Sequence, residues 1–180
     1  ARVDEAGVAV VVHAGDSGHS SEGYAVDGFA ATFRGSWKPT IKNFAIERAI
    51  HDWLVSFTLE RMPVRFPGVR VVSVENGAEF LPDLFRKVRS VDKKMRGWFP
   101  DDPVELFRRN VWINPFWEDD LATVVGLMGA DRVVFGSDWP HIEALPQPLD
   151  YLAEAKMLDD ADQRLVLHDN AAALTERRPA

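Results

Sequence analysis

The chain has 180 residues, 46% of them hydrophobic, which suffices for one compact domain with a substantial core and gives no reason for two. It contains no cysteine, so disulfides and thiolate metal sites are excluded, any metal must sit on histidine and carboxylate, and a cytoplasmic protein is the default expectation. A net charge of −7 without a Lys/Arg block argues against nucleic acid or an anionic membrane as partner. The absence of an eighteen-residue apolar run and of a signal-like start at Ala1 argues against a membrane span or export, leaving a small molecule as the expected ligand.

The first predicted element is the run Val8-Ala9-Val10-Val11-Val12, rich in β-branched residues and apolar throughout, the pattern of a strand buried on both faces of a parallel sheet. His13 ends it. A Gly/Ser-rich loop from His13 to Tyr24 and an irregular stretch through Pro39 follow, long enough to be read as functional. From Asn43, the positions Ile46, Ala49, Ile50, Trp53, Leu54 and Phe57 predict an amphipathic helix that Pro63 stops, with His51 on its exposed side. Pro67-Gly68 then turns into a second strand, Val69 to Val74, ending in Glu75-Asn76-Gly77.

A second helix shows Phe80, Leu81, Leu84, Phe85, Val88 and Val91 on one face. Asp102-Pro103-Val104-Glu105 has a cap, a proline at the first helical position and a glutamate three residues after the cap, so a short helix starts there. It leads into a third strand, Asn110 to Asn114. A helix from Glu118 to Met128, stopped by Gly129, precedes a fourth strand, Arg132 to Phe135, and the tail from about Leu149 reads as helical. The alternation of strand and helix predicts an α/β fold with parallel strands, whose function gathers at the C-terminal strand ends.

Those ends carry His13, Glu75 with Asn76, Asn114, and Asp138 with His141. His13, held at the rim by five apolar residues, suits a metal ligand; a hydrogen-bonded strand-end histidine is the alternative. Asp138 follows Gly136, where the chain can bend and aim a carboxylate, although an aspartate before a Pro-containing turn also serves as a cap. Glu75 can ligate metal or act as acid or base, or cap the next helix. Asn76, Trp112, Asn114, Trp139 and His141 complete the candidate set as substrate-binding residues: aromatic walls with a few polar groups are how small-molecule sites look. His19 and His168 are weaker candidates. No Gly-x-Gly-x-x-Gly, Walker loop or Gly-x-Ser-x-Gly elbow is present.

Taken together, Val12-His13-Ala14-Gly15-Asp16, Arg65-Phe66-Pro67, Glu75-Asn76-Gly77 and Phe135-Gly136-Ser137-Asp138-Trp139-Pro140-His141 resemble the amidohydrolase-related family, the branch with aminocarboxymuconate-semialdehyde decarboxylase and the non-oxidative aromatic acid decarboxylases. The resemblance implies a distorted TIM-type (β/α)8 barrel with a divalent metal, zinc or else manganese, at its C-terminal mouth. His13 would match the metal-binding histidine of the fifth strand and Asp138 the metal-linked aspartate of the eighth, which also shuttles the proton.

This sequence lacks the family's first-strand His-x-His pair and has Glu75 where the decarboxylases carry a catalytic histidine. The first departure implies that residues 1–180 are the C-terminal half, strands five to eight. The second implies hydrolysis at least as readily as decarboxylation of a small aromatic or unsaturated carboxylic acid. A half barrel has two unpaired edges and an exposed apolar face, so the isolated chain is expected to be metal-poor and inactive, or to pair with another copy as a homo-oligomer, a dimer. The competing expectations are a catalytically inactive remnant of such a barrel and, more remotely, an open doubly wound sheet.

Overall fold

The computed structural model describes residues 1–15, 42–141 and 144–178. Three parallel strands, β1 (Ala9–His13), β2 (Arg70–Val74) and β3 (Val111–Ile113), lie side by side in chain order. The register pairs Val10 with Val71 and His13 with Val74, then Val71 with Val111 and Ser73 with Ile113. Parallel neighbours require long return connections, and the helices supply them. These are α2 (Lys42–Leu59) and α3 (Met62–Arg65) between β1 and β2, and α4 (Leu81–Lys94) and α5 (Pro103–Asn110) between β2 and β3; α1 (Arg2–Ala6) precedes β1 and α6 (Leu121–Met128) follows β3. The long Gly/Ser-rich loop and His19 lie outside the described residues.

Local chemistry accounts for the helix starts. Asp102 caps α5 by accepting from the Val104 N–H at 2.8 Å, with Pro103 at the first helical position, and Asp120 caps α6 by accepting from Ala122 at 3.2 Å. On one face of the sheet Val71, Val111 and Ile113 pack against Leu54, Leu81, Leu84, Val88, Val104 and Phe107 from α2, α4 and α5, all buried. Each such side chain contributes about 1.5–3 kcal/mol by leaving water. A smaller cluster on the other face joins Val72, Trp112, Val134 and Leu174, with Ala9 and Val74 against it. That face thins toward β1, where Val11 is 61% exposed.

Three local expectations change. The fourth strand is reduced: Ala130–Arg132 forms a 3-10 turn, Val133 alone bridges Ile113, and the Phe135 N–H goes to Val166 O at 2.9 Å. That acceptor lies in a π-helical turn, Leu165–Asp169, between α8 (Asp160–Arg164) and α9 (Asn170–Thr175), which follow α7 (Leu152–Ala155). His51 is not on a solvated face: its side chain is mostly buried, edge-on to Phe80 at 6.2 Å between ring centroids and 3.7 Å from the Asp83 carboxylate. Docking of the start of α4 on that side of α2 covers it. Finally, α1 and Asn110, which ends α5 and does not begin β3, were not anticipated.

The N-terminal end of the sheet is closed by buried Arg70, whose guanidinium donates to the carbonyls of Gly7, Ala173 and Glu176 at 2.7 Å each. It ties β2 to the turn before β1 and to the last helix. No helix among the described residues is long and apolar enough to cross a membrane.

Candidate metal centre and cavity

At the opposite end the strands deliver their terminal side chains to one place. His13 closes β1. Its Nδ1 lies 2.7 Å from Ala14 O and its Nε2 lies 2.7 Å from a Glu75 carboxylate oxygen. Glu75 follows β2 in the left-handed region, at φ 56°, and Asp138 takes the same conformation, at φ 53°. Residues other than glycine rarely adopt it, and such strain concentrates at sites where side-chain direction matters. Downstream of Asp138, the His141 N–H closes a turn onto Asp138 O at 2.8 Å, with a cis peptide between Trp139 and Pro140. The turn brings the His141 ring back, Nδ1 3.3 Å from Asp138 Oδ2. One ligand atom each from Glu75, Asp138 and His141 lie within 4.8 Å of one another.

Two buried asparagines hold the strand ends in place. Asn76 donates to Val12 O at 3.0 Å and Val74 O at 2.8 Å, tying β1 to β2. Asn114, 8% exposed, accepts from the Glu75 N–H at 3.3 Å and donates to Pro115 O at 3.2 Å and Val134 O at 3.3 Å. It thereby joins the ends of β2 and β3 to the segment leading to Asp138. A Cβ on Gly136 would stand 3.0–3.2 Å from the Asn114 amide, so the small residue there permits the approach.

A cavity of about 370 Å³ opens beside these groups, with Glu75, Asn114 and Asp138 on its wall. Pro115, Phe116, Trp117 and Leu145 give it an apolar side, and Glu79, Glu118 and Asp119 an acidic one; no lysine or arginine is among the described residues lining it. Burial, reinforced by Glu79 and Glu118, pushes the Asp119 carboxyl above the usual carboxylate range, although the Phe116 N–H, 2.7 Å away, and the Ala78 N–H donate to it. Burial beside Asp119 and Glu154 pushes the Tyr151 phenol up to about 12.

The structure thus brings His13, Glu75, Asp138 and His141 together, with Asn76 and Asn114 behind them. Trp112 is elsewhere: it is buried in the smaller cluster, its indole N–H on Asp131 O at 2.9 Å and Arg132 over its ring. Trp139 lies next to the site but is exposed. Glu79, Phe116 and Asp119 line the cavity without having been singled out; the run Phe116-Trp117-Glu118-Asp119 after a strand was the available signal.

Comparison with known proteins agrees with this layout. The model of a family described as amidohydrolase matches residues 1–175. The crystal structure of an amidohydrolase from Mycobacterium avium subsp. paratuberculosis K-10 superposes with a TM-score of 0.84 at 38% identity, over 98% of this chain and 44% of that one. A dihydroxybenzoic acid decarboxylase from Polaromonas sp. JS666, with bound manganese and the inhibitor 2-nitroresorcinol, matches at TM-score 0.64 and 18% identity, over 93% of this chain and 49% of its own. The 5-carboxyvanillate decarboxylase of Sphingomonas paucimobilis gives 0.65 and 18%, over 94% and 49%. At these identities the two decarboxylases show a shared fold. No curated protein matches the chain. The chain spans just under half the length of these solved structures, and with its family's pattern running from residue 1 to 175 it belongs to the amidohydrolase family.

Proposed function

We propose that this chain is the C-terminal half, strands five to eight, of a (β/α)8 barrel that acts as a metal-dependent hydrolase or decarboxylase on a small aromatic or unsaturated carboxylic acid. The observation that carries the reading is the convergence of Glu75 and Asp138 on one cavity, with His13 at the end of the neighbouring strand 2.7 Å from Glu75. The thinly covered β1, with Val11 exposed, is what an inner barrel face looks like where further strands would continue it.

His13 and Asp138 would hold a divalent metal, zinc or manganese. The residues fit such an ion. A histidine that donates from one ring nitrogen to a backbone carbonyl presents the other to a metal, and His13 has Nδ1 on Ala14 O and Nε2 turned to the acidic cluster. Manganese in the Polaromonas decarboxylase supports the same chemistry. When bound, the ion supplies Lewis acidity and lowers the pKa of a coordinated water.

The chain's own residues do the rest. Asp138, on the cavity wall, accepts and returns a proton. Glu75 is the second acid or base, its direction fixed by Asn114 at its backbone N–H. A carboxylate in this place can act as general base toward an attacking water, which favours hydrolysis at least as much as decarboxylation. Phe116, Trp117 and Leu145 would flank an aromatic or unsaturated ring and exclude water. Where the 180-residue chain stands by itself, β1, an edge strand among the described residues, would be covered by a second copy in a homodimer, which sedimentation would test.

The test is turnover. The protein carrying this sequence, stripped with a chelator and reloaded with zinc or manganese, is expected to release either carbon dioxide or a hydrolysis product from a panel of aromatic and unsaturated acids, esters and amides. Asp138→Asn should cost at least about a hundredfold, within the range for a lost acid or base. Turnover indifferent to chelation, or to Asp138→Asn, contradicts the reading.

A further inference from the structure

We propose that Glu75 and His141 are themselves metal ligands, so that this chain binds one divalent cation through four side chains of its own, His13, Glu75, Asp138 and His141. This rests on the reading of the rim as a metal centre and extends it: from the sequence His13 and Asp138 are the metal ligands, Glu75 is a ligand or an acid or base, and the isolated chain is metal-poor.

The distances support three of the four directly, and His13 lies beside them. Two atoms bound at about 2.1 Å to one ion are at most about 4.2 Å apart, and about 4.8 Å apart for an ion with 2.4 Å bonds. Ligand atoms of Glu75, Asp138 and His141 already lie within 4.8 Å of one another, so closure onto a transition-metal ion asks for shifts of a few tenths of an ångström. His13 stands outside that group of three, its Nε2 2.7 Å from a Glu75 carboxylate oxygen, and joins by swinging from Glu75 toward the ion. Two imidazoles and two carboxylates make a donor set suited to zinc or manganese.

Two further features point the same way. Glu75 and Asp138 both hold left-handed backbone conformations, and what these have in common is that each aims a carboxylate at the same spot. Asn114 reaches both strand exits, Glu75 through its N–H and the Asp138 segment through Val134 O, which fixes the spacing of the two carboxylates. The acidic cavity with no described lysine or arginine on its wall draws a cation toward the rim. Asp119 is not part of the set, because its carboxylate is engaged by the Phe116 and Ala78 N–H groups.

Isothermal titration of the metal-free 180-residue chain with manganese chloride tests this directly. The expected result is one ion per chain, with affinity lowered at least about tenfold in Glu75→Gln and in His141→Ala, and changed less than about twofold in Glu105→Gln and His168→Ala. Circular dichroism checks folding, and Glu75→Asp and His141→Gln replace any variant that does not fold. Stoichiometric binding that survives both substitutions but is lost in His13→Ala and Asp138→Asn overturns the four-ligand set and leaves the proposed function standing. Absence of binding in the unsubstituted chain also overturns it, because the four side chains then do not suffice. Binding unaffected by His13→Ala and Asp138→Asn would instead remove the metal centre on which the proposed function depends.

Discussion

At the N-terminal end of the strands Arg70 is 2% exposed and donates to three carbonyls, which lock its guanidinium in place. At the C-terminal end His13, Asp138 and His141 stand exposed, and Glu75 and Asp138 sit in a backbone region that disfavours them. One end uses a polar group to tie the termini of the chain to the sheet; the other turns exposed ligand-type side chains toward one another. The difference predicts that substitution at the foot costs stability without touching metal affinity, and that substitution at the rim does the reverse.

The largest effect belongs to Arg70→Leu, which strands three carbonyls near the core; urea unfolding should show a loss of about 3 kcal/mol or more. Retention of stability would mean that water reaches those carbonyls. Asn114→Ala comes next, at about 2 kcal/mol, since it removes one acceptor and two donations among buried groups, and it should also weaken metal binding because it frees Glu75 and the Asp138 segment. Asn114 therefore sharpens the comparison, as a substitution expected to lower both readouts.

Glu75→Gly should stabilise the chain by about 0.5–1 kcal/mol in the same assay, because glycine accepts φ 56° without strain, while abolishing the contact to His13. Rim strain would be refuted by a destabilised Glu75→Gly. The smallest effect is at Asp119. Its carboxyl is raised on folding, so the folded state binds the proton more tightly than the unfolded one and loses relative stability as pH climbs from the ordinary carboxylate range through the raised value. Asp119→Asn should lack that decline, and its stability relative to the parent should improve over the same pH interval.

The sequence made legible those parts whose cause is local. The Val8 to Val12 run, the Asp102-Pro103 cap and the polar residues at strand ends each carry their own signal, and β1, α5 and the rim followed from them. What depends on distant neighbours was not legible. Val133 to Phe135 reads as a strand, yet Phe135 bonds a carbonyl that a π turn in the last helix offers thirty residues later. Helical periodicity puts His51 outside, and only the arrival of Phe80 covers it. Asn76 and Asn114 read as substrate ligands at strand ends; their bonds to the carbonyls of neighbouring segments, which brace the strands, depend on distant residues. His141 was singled out, but its place beside Asp138 comes from the turn between them.

The most direct test of the rim as a metal centre is proton NMR of the histidine rings during titration with manganese, whose unpaired electrons broaden nearby signals. His13 and His141 should broaden first and most strongly, well below one equivalent, while His51 against Phe80 and His168 beside Asp169 stay sharp. His13 and His141 signals that remain as sharp as those of His51 and His168 at one equivalent would contradict a metal centre at the strand ends.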